Sequence, residues 1–417
     1  NEVYAQFFIR IFEEIPDCIL GEFSKLKMIQ SPNFTDFRKV FSAKHEKSFV
    51  VPGNTFDNVK GYFPIGFFIW NLSKRENIKD SIKCDVFGSN GEFLLEKEFC
   101  VYDSDSRLIN DWLRNYFDKE SEPIGIMHNN KNDFQHNNQV CITTVDNHDH
   151  TTPITKVNLI PMSIYLAVRQ CIPQTWLNDR DQFLYPNDGW KQDLVFQTDC
   201  LIYTLFHGQN RISSQAASAS TSSATATAAA SLVTHTSSLS INHWIPFTRE
   251  QVGCKKTFRS KFMSEFLSGK WDIGNGMRES TGNDLFANGG TDDSLNSAAG
   301  GVAGVSTAEG VAENAERLER GGDFPRLVPL ENLSAEARSV YDAGLELWKY
   351  YHSMPDAIAD ASFYDIRKYF QGVNAGGKMN ADSGDARYTE LITSLREKMK
   401  TLGARIAEKV YGYGFLK

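Results

Sequence analysis

Residues 49–72 read Phe49-Val-Val-Pro-Gly-Asn-Thr-Phe-Asp-Asn-Val-Lys-Gly-Tyr-Phe-Pro-Ile-Gly-Phe-Phe-Ile-Trp-Asn-Leu72, and the reading of this stretch decides the fold. Two runs with almost no polar face, Ser48 to Val51 and Ile65 to Leu72, predict buried strands. Between them lies a loop rich in Gly, Asn and Pro that carries Phe56, Asn58, Lys60 and Tyr62. Large aromatics and a lysine spaced through a turn-forming segment suit a site at the end of an α/β sheet, where loops gather ligands. The plainer reading is a connection whose rings pack down on the sheet.

Upstream, Glu2 to Glu14 carries Val3, Tyr4, Phe7, Phe8, Ile11 and Phe12 at helical spacing, which predicts a buried amphipathic helix ended by Ile15-Pro16. Asp17 to Ile29 predicts a strand kinked at Gly21, followed by a turn at Pro32-Asn33. Asp36 to Ala43 predicts a second helix, with Thr35 as N-cap and Phe37, Val40 and Phe41 facing inward. Helix, strand, helix, strand, strand is the right half of a doubly wound α/β domain, so residues 1–78 are expected to form part of such a sheet.

Downstream, Ile82 to Phe87 and Phe93 to Tyr102 alternate around Gly88-Ser-Asn-Gly91 and predict a hairpin excursion, with a short helix at Leu108 to Phe117. Strand-like pieces from Ile124 to Val145 are split by the polar run His128-Asn-Asn-Lys-Asn-Asp-Phe-Gln-His-Asn-Asn-Gln139. Amide-rich loops of this kind read base edges or are solvated turns. Leu159 to Val168 and Val195 to Phe206 are core elements, expected to be helical. Residues 79–271 thus form a mixed α/β region with an insertion at 215–240, where Ala, Ser and Thr leave too little apolar surface for a core. A second stretch of low complexity, an acidic linker at 272–325, leads to a helical C-terminal region at 326–417. That region opens with a helix from Ser334, its N-cap, to Tyr351.

At 417 residues the chain has material for two or three domains, and no apolar run reaches the ~18 residues of a membrane span. Asn1 to Arg10 lacks a basic start and a small-residue cleavage site, which leaves the cytoplasm as the expected location and no membrane partner. The seven cysteines are scattered singly without C-x-x-C spacing, so reduced thiols are expected and no metal. His148-Asp-His150 reads as a polar loop, since no third ligand lies nearby in sequence.

The net charge of −8 argues at first against a polyanionic partner, but ten acids against three arginines in residues 272–323 account for −7 of it. Residues 24–60 carry Lys25, Lys27, Arg38, Lys39, Lys44, Lys47 and Lys60 against three acids, and residues 247–270 carry six basic residues against two. Two locally basic segments supply phosphate contacts, with Lys255, Lys256 and Arg259 as candidates; the alternative is a pair of solvated faces.

The order of the segments Glu2-Val-Tyr-Ala-Gln-Phe-Phe through Phe41, and Phe49 to Asn71, resembles the C-terminal half of the catalytic domain of DNA adenine methyltransferases of bacterial restriction-modification systems. In that family a helix of this type follows an Asn-Pro-Pro-Tyr/Phe loop, then come a strand-helix pair and a loop and strand beside the target base. The resemblance covers residues 1–75 well and a further part to about residue 270 loosely. It implies a partial doubly wound methyltransferase sheet and methyl transfer from S-adenosylmethionine to the exocyclic amine of adenine in double-stranded DNA. By the same likeness Phe56 would stack on the flipped base, Lys60 would hold a neighbouring phosphate, and Asn58 would lie beside them.

Two departures stand against it. The Gly-rich cofactor loop and the tetrapeptide are both missing; Asp272-Ile-Gly-Asn-Gly276 follows no strand, and Ser31-Pro-Asn-Phe34 comes after the helix that should follow the tetrapeptide. The catalytic residues are therefore not assigned, and an upstream catalytic segment or subunit is expected to supply them. The competing expectation is a non-catalytic DNA-recognition subunit that pairs with a separate catalytic chain.

Replacing residues 215–240 and 272–323 by short Gly-Ser linkers should leave the melting temperature within a few degrees, because neither has apolar content to offset about 1 to 2 kcal/mol of chain entropy per ordered residue. Loss of the cooperative transition on thermal denaturation would show that they pack.

Overall fold

The computed structural model describes residues 2–78, 80–103, 105–144, 150–214, 239, 241–270, 330 and 333–417. The expectations at 215–240 and 272–325, and at His148, therefore fall almost wholly outside the described residues. Two sheets organise the chain. The first begins with helix α1 (Val3–Glu14) and strand β1 (Ile19–Lys25), a turn of helix α2 (Lys27–Gln30), helix α3 (Thr35–Val40), and the long strands β2 (Ala43–Pro52) and β3 (Pro64–Arg75). The hairpin strands β4 (Ser81–Phe87) and β5 (Phe93–Cys100) complete it in the order β1-β3-β2-β4-β5. Its tip turns at Gly91, whose φ of 80° lies in the left-handed region that glycine adopts without strain.

β3 runs antiparallel to both β1 and β2, so those two point the same way, while β4 is parallel to β2 and antiparallel to β5. The sheet is mixed, and it continues past residue 78 because the hairpin pairs with β2. Strand alternation then assigns the rings to two faces. Phe68, Trp70 and Leu72 point into a core with Phe8 and Phe12 of α1 and with Phe41, while Phe23, Phe67, Phe49 and Phe87 form a contiguous row on the other face, at ring spacings of 4.7, 5.3 and 6.0 Å.

Three local expectations are corrected. β1 stops at Lys25, and residues 27–30 turn helically. Thr35 lies inside α3, where its hydroxyl donates 2.7 Å to the Pro32 carbonyl and does not cap the helix. Val40 is 51% exposed; the buried residues of α3 are Thr35 and Arg38, and Arg38 donates to the carbonyls of Met28, Ile29 and Ser31 and pairs with Asp103 at 2.8 Å. Its charge is consumed within the chain and is not available to a phosphate.

The second layer holds α4 (Ile109–Arg114), the strands β6 (Pro123–His128), β7 (Cys141–Thr143) and β8 (Thr151–Thr155) in the order β7-β6-β8, and the helices α5 (Leu159–Gln170) and α6 (Leu194–Leu205). α5 and α6 are buried on nearly every face, as their all-round apolarity requires. The short helix α7 (Phe262–Leu267) and the helices α8 (Ala335–His352), α9 (Phe363–Gln371) and α10 (Ala386–Gly412) complete the same core. Asp199 on α6 fastens them, accepting from Ser334 Oγ at 2.6 Å and from Arg405 Nε at 2.8 Å. No helix of the described residues is long and apolar enough to cross a membrane.

At Gly344 α8 comes close to this core, since a Cβ there would lie 2.2 Å from Cε1 of the buried Phe206. Gly344→Ala gains about 1 kcal/mol of helix propensity but must displace a ring packed against Trp348 and Phe363, an overpacking that costs about 1 to 3 kcal/mol. A net fall in melting temperature is expected, and a rise would show that Phe206 has room to move.

Candidate nucleic-acid interface

Because β1 and β2 point the same way, the loop at residues 53–63 stands at their shared C-terminal end, the place where α/β sheets bind ligands. The N-terminus of α1 reaches the same end, tied there by an ion pair of 2.6 Å between Glu2 and Lys27. The loop is compact. Gly53 N–H donates 2.7 Å to the Phe63 carbonyl, and Phe56 and Val59 continue two turns. Asn58 sits at a φ of 64°, a left-handed position that asparagine tolerates, so its residue type already has a backbone explanation. Phe56 is half-buried and meets Phe23 edge to face at 5.3 Å; Lys60 is exposed.

Tyr62 carries the loop toward the second layer, its ring 6.1 Å from that of Trp176. Trp176 belongs to the connection after α5, which Gln30 and Lys97 hold from the first sheet by donating to Asp181 at 2.7 and 2.5 Å. On its other side this connection pairs with the amide-rich run: Gln135 N–H donates to the Asp179 carbonyl and Phe183 N–H to that of Asn132. The structure thereby joins the aromatic loop and the amide-rich run, which lie about 70 residues apart in sequence, into one ridge.

The run itself is built around Arg169 on α5, which is fully buried. Its guanidinium donates to Asn137 Oδ1 at 2.6 Å, to the Tyr165 hydroxyl at 3.0 Å, and to the carbonyls of Lys131 and Asp133 at 2.8 and 3.0 Å. Asn137 returns a bond of 2.7 Å to the Arg169 carbonyl. Burial lowers the Arg169 pKa, opposed by Tyr165 and Asp133. A cation without a contacting carboxylate is retained because four acceptor dipoles solvate it.

The basic candidates divide. Lys255 and Lys256 are exposed, on the segment that Phe247 and Phe258 pack against α8 rather than on the ridge. Arg259 pairs with the buried Asp360 and donates to the Ser214 carbonyl, so it serves the fold. Among the described residues no cluster of three or more His, Cys, Asp or Glu could hold a metal. Trp176 and Arg169 were not legible as site residues in the sequence, since each acts through a contact distant along the chain.

Glu22, midway along β1 and paired in register with Phe68, carries an unsatisfied carboxylate oxygen. It is 8% exposed; Ser24 and Trp70 reach Oε1 only weakly at 3.4 Å, and Oε2 has no hydrogen-bond partner among the described residues. Burial pushes its carboxyl up to about 7, against the lowering effect of Trp70 and Ser24. The nearby Tyr4 hydroxyl, also without a partner among the described residues, is raised by burial and by the charges of Glu2 and Glu22.

No family model, curated protein or solved structure matches the chain.

Glu22 in the folded chain binds its proton more tightly than in the unfolded one, so its contribution is full below about pH 4.5 and is lost as pH rises through 7. Glu22→Gln should therefore gain stability over the parent as pH rises from 4.5 to 7, levelling at roughly 3 kcal/mol by about 1.4 kcal/mol per unit. Urea unfolding at pH 5 and pH 8 measures it; an equal effect at both would show that the carboxyl does not titrate with folding.

Proposed function

We propose that this chain is the downstream part of a site-specific DNA adenine methyltransferase that takes double-stranded DNA and, in the complete enzyme, S-adenosylmethionine. The observation that carries the reading is the placement of the Phe56 loop between β2 and β3, at the C-terminal end of the parallel pair β1 and β2 and contiguous through Tyr62 and Trp176 with an amide-rich surface. Helix, strand, helix, strand, loop, strand over residues 3–75 follows the order that the resemblance implies. A base turned out of the duplex costs a few kcal/mol, and an aromatic face returns about 1 to 3 kcal/mol of it. Phe56 is the candidate for that face, with Lys60 at a neighbouring phosphate.

The sequence has no Gly-rich strand-to-helix turn to hold S-adenosylmethionine, so the residues present do not fit the cofactor. A second reading, a DNA-recognition subunit paired with a separate catalytic chain, draws on the free edge of β1. Ile19 and Phe23 there are 61% and 53% exposed, and an apolar strand edge of this kind calls for a covering segment. Both readings place the cofactor outside this chain.

Titration of S-adenosylmethionine into the chain in a calorimeter should give no measurable heat, and micromolar binding would overturn this division of labour. For DNA, Phe56→Ala should weaken binding to a matched duplex by about 1 to 3 kcal/mol and recover part of the loss on a mismatched target base. Equal losses on both duplexes, together with a lowered melting temperature, would make Phe56 a packing residue of Phe23 and sink the stacking role.

A further inference from the structure

Residues 134–139 form a 3-10 helix, in which side chains three apart eclipse one another. Its three faces have different fates. Phe134 and Asn137 point inward, Phe134 onto Phe183 at 4.6 Å and Asn137 onto Arg169. His136 and Gln139 are engaged within the run, bonded to Asp133 and Asn130 respectively. Gln135 and Asn138 share the remaining face; both are exposed, and neither side chain makes a hydrogen bond among the described residues. Two free amides are thus carried on a backbone held from below by Arg169, by Gln170, which donates to the Asn137 and Val140 carbonyls, and by Asn110, which donates to the Asn130 carbonyl.

We infer that Gln135 and Asn138 are specificity-determining residues that read adenine edges in the major groove of the bound duplex. This rests on the DNA-binding reading above and adds the residues that would select the sequence. An Asn or Gln amide donates to adenine N7 and accepts from its N6 amine, a bidentate match that no other base offers in the same pattern. Three residues of 3-10 helix separate the two amides by about 6 Å, which spans about two base steps at roughly 3.4 Å each. A flexible polar loop would lose its side-chain and backbone entropy on binding; this one has its backbone ordered before the DNA arrives. The exposed Lys131 at the start of the run supplies a phosphate contact beside the amides.

The test is selection of bound duplexes from a pool with a random central segment, using the chain and its Gln135→Ala, Asn138→Ala and Lys131→Ala variants, each checked for an unchanged melting temperature. The parent should enrich adenine at two positions within about two steps of each other. Each amide variant should lose one preference and bind the enriched duplex about tenfold or more weakly, while Lys131→Ala should weaken all sequences alike. Duplex binding with no base preference, or with preferences unchanged in both amide variants, overturns the assignment and leaves the DNA-binding reading standing. Failure of the parent to bind any duplex at low salt overturns both.

Discussion

A buried guanidinium with no contacting carboxylate is the constraint on which the interface depends. Arg169 sits at the C-terminal end of α5, where the helix carbonyls favour a cation, and it takes acceptors from three separate parts of the 128–139 run. Desolvating a cation costs several kcal/mol unless its donors are used. The run therefore has one arrangement in which Asn137 and the Lys131 and Asp133 carbonyls converge on one group, and any slackening would leave a buried charge unsolvated. An outwardly polar loop becomes a fixed surface by that route.

The first sheet places the aromatic loop by a different device. β3 inserts between two strands that run the same way, so the connection from β2 to β3 must turn at the end where β1 also finishes. That brings Phe56 onto Phe23 and lets Tyr62 reach Trp176. The bonds from Gln30 and Lys97 to Asp181 then hold the two layers in register at this end. Loop and amide-rich run share a surface because a short polar connection is bonded to both.

The edge strand β1 concentrates groups that folding has not satisfied. Burial raises the Glu22 carboxyl to about 7, its second oxygen has no partner among the described residues, and Ile19 and Phe23 leave apolar surface on the free edge of β1. Orphaned polar atoms and an open strand edge on one side of a sheet are the marks of a surface shaped for something further to pack there. The C-terminal helices show the opposite condition: Asp193 and Asp199 each accept from both ends of their neighbourhood, and α6, α8 and α10 close on them.

Sequence by itself determined the elements whose periodicity reports burial on a single face. The amphipathic α1, the strand pair around the 53–63 loop, the hairpin at 81–100 and the Ser334 cap were legible because each depends on contacts within a few residues or on one apolar stripe, and the helices α5 and α6 because they are apolar on every face. Tertiary structure alone decided the strand order, which rests on hydrogen bonds between segments that carry no local mark of their partners. It also decided which polar residues are structural. Arg38, Arg169 and Arg259 look in sequence like any surface arginine, yet each is spent on carbonyls or an aspartate far along the chain. Charge that a sequence displays becomes available to a partner only where folding leaves it unpaired, and that depends on distances the chain order does not contain.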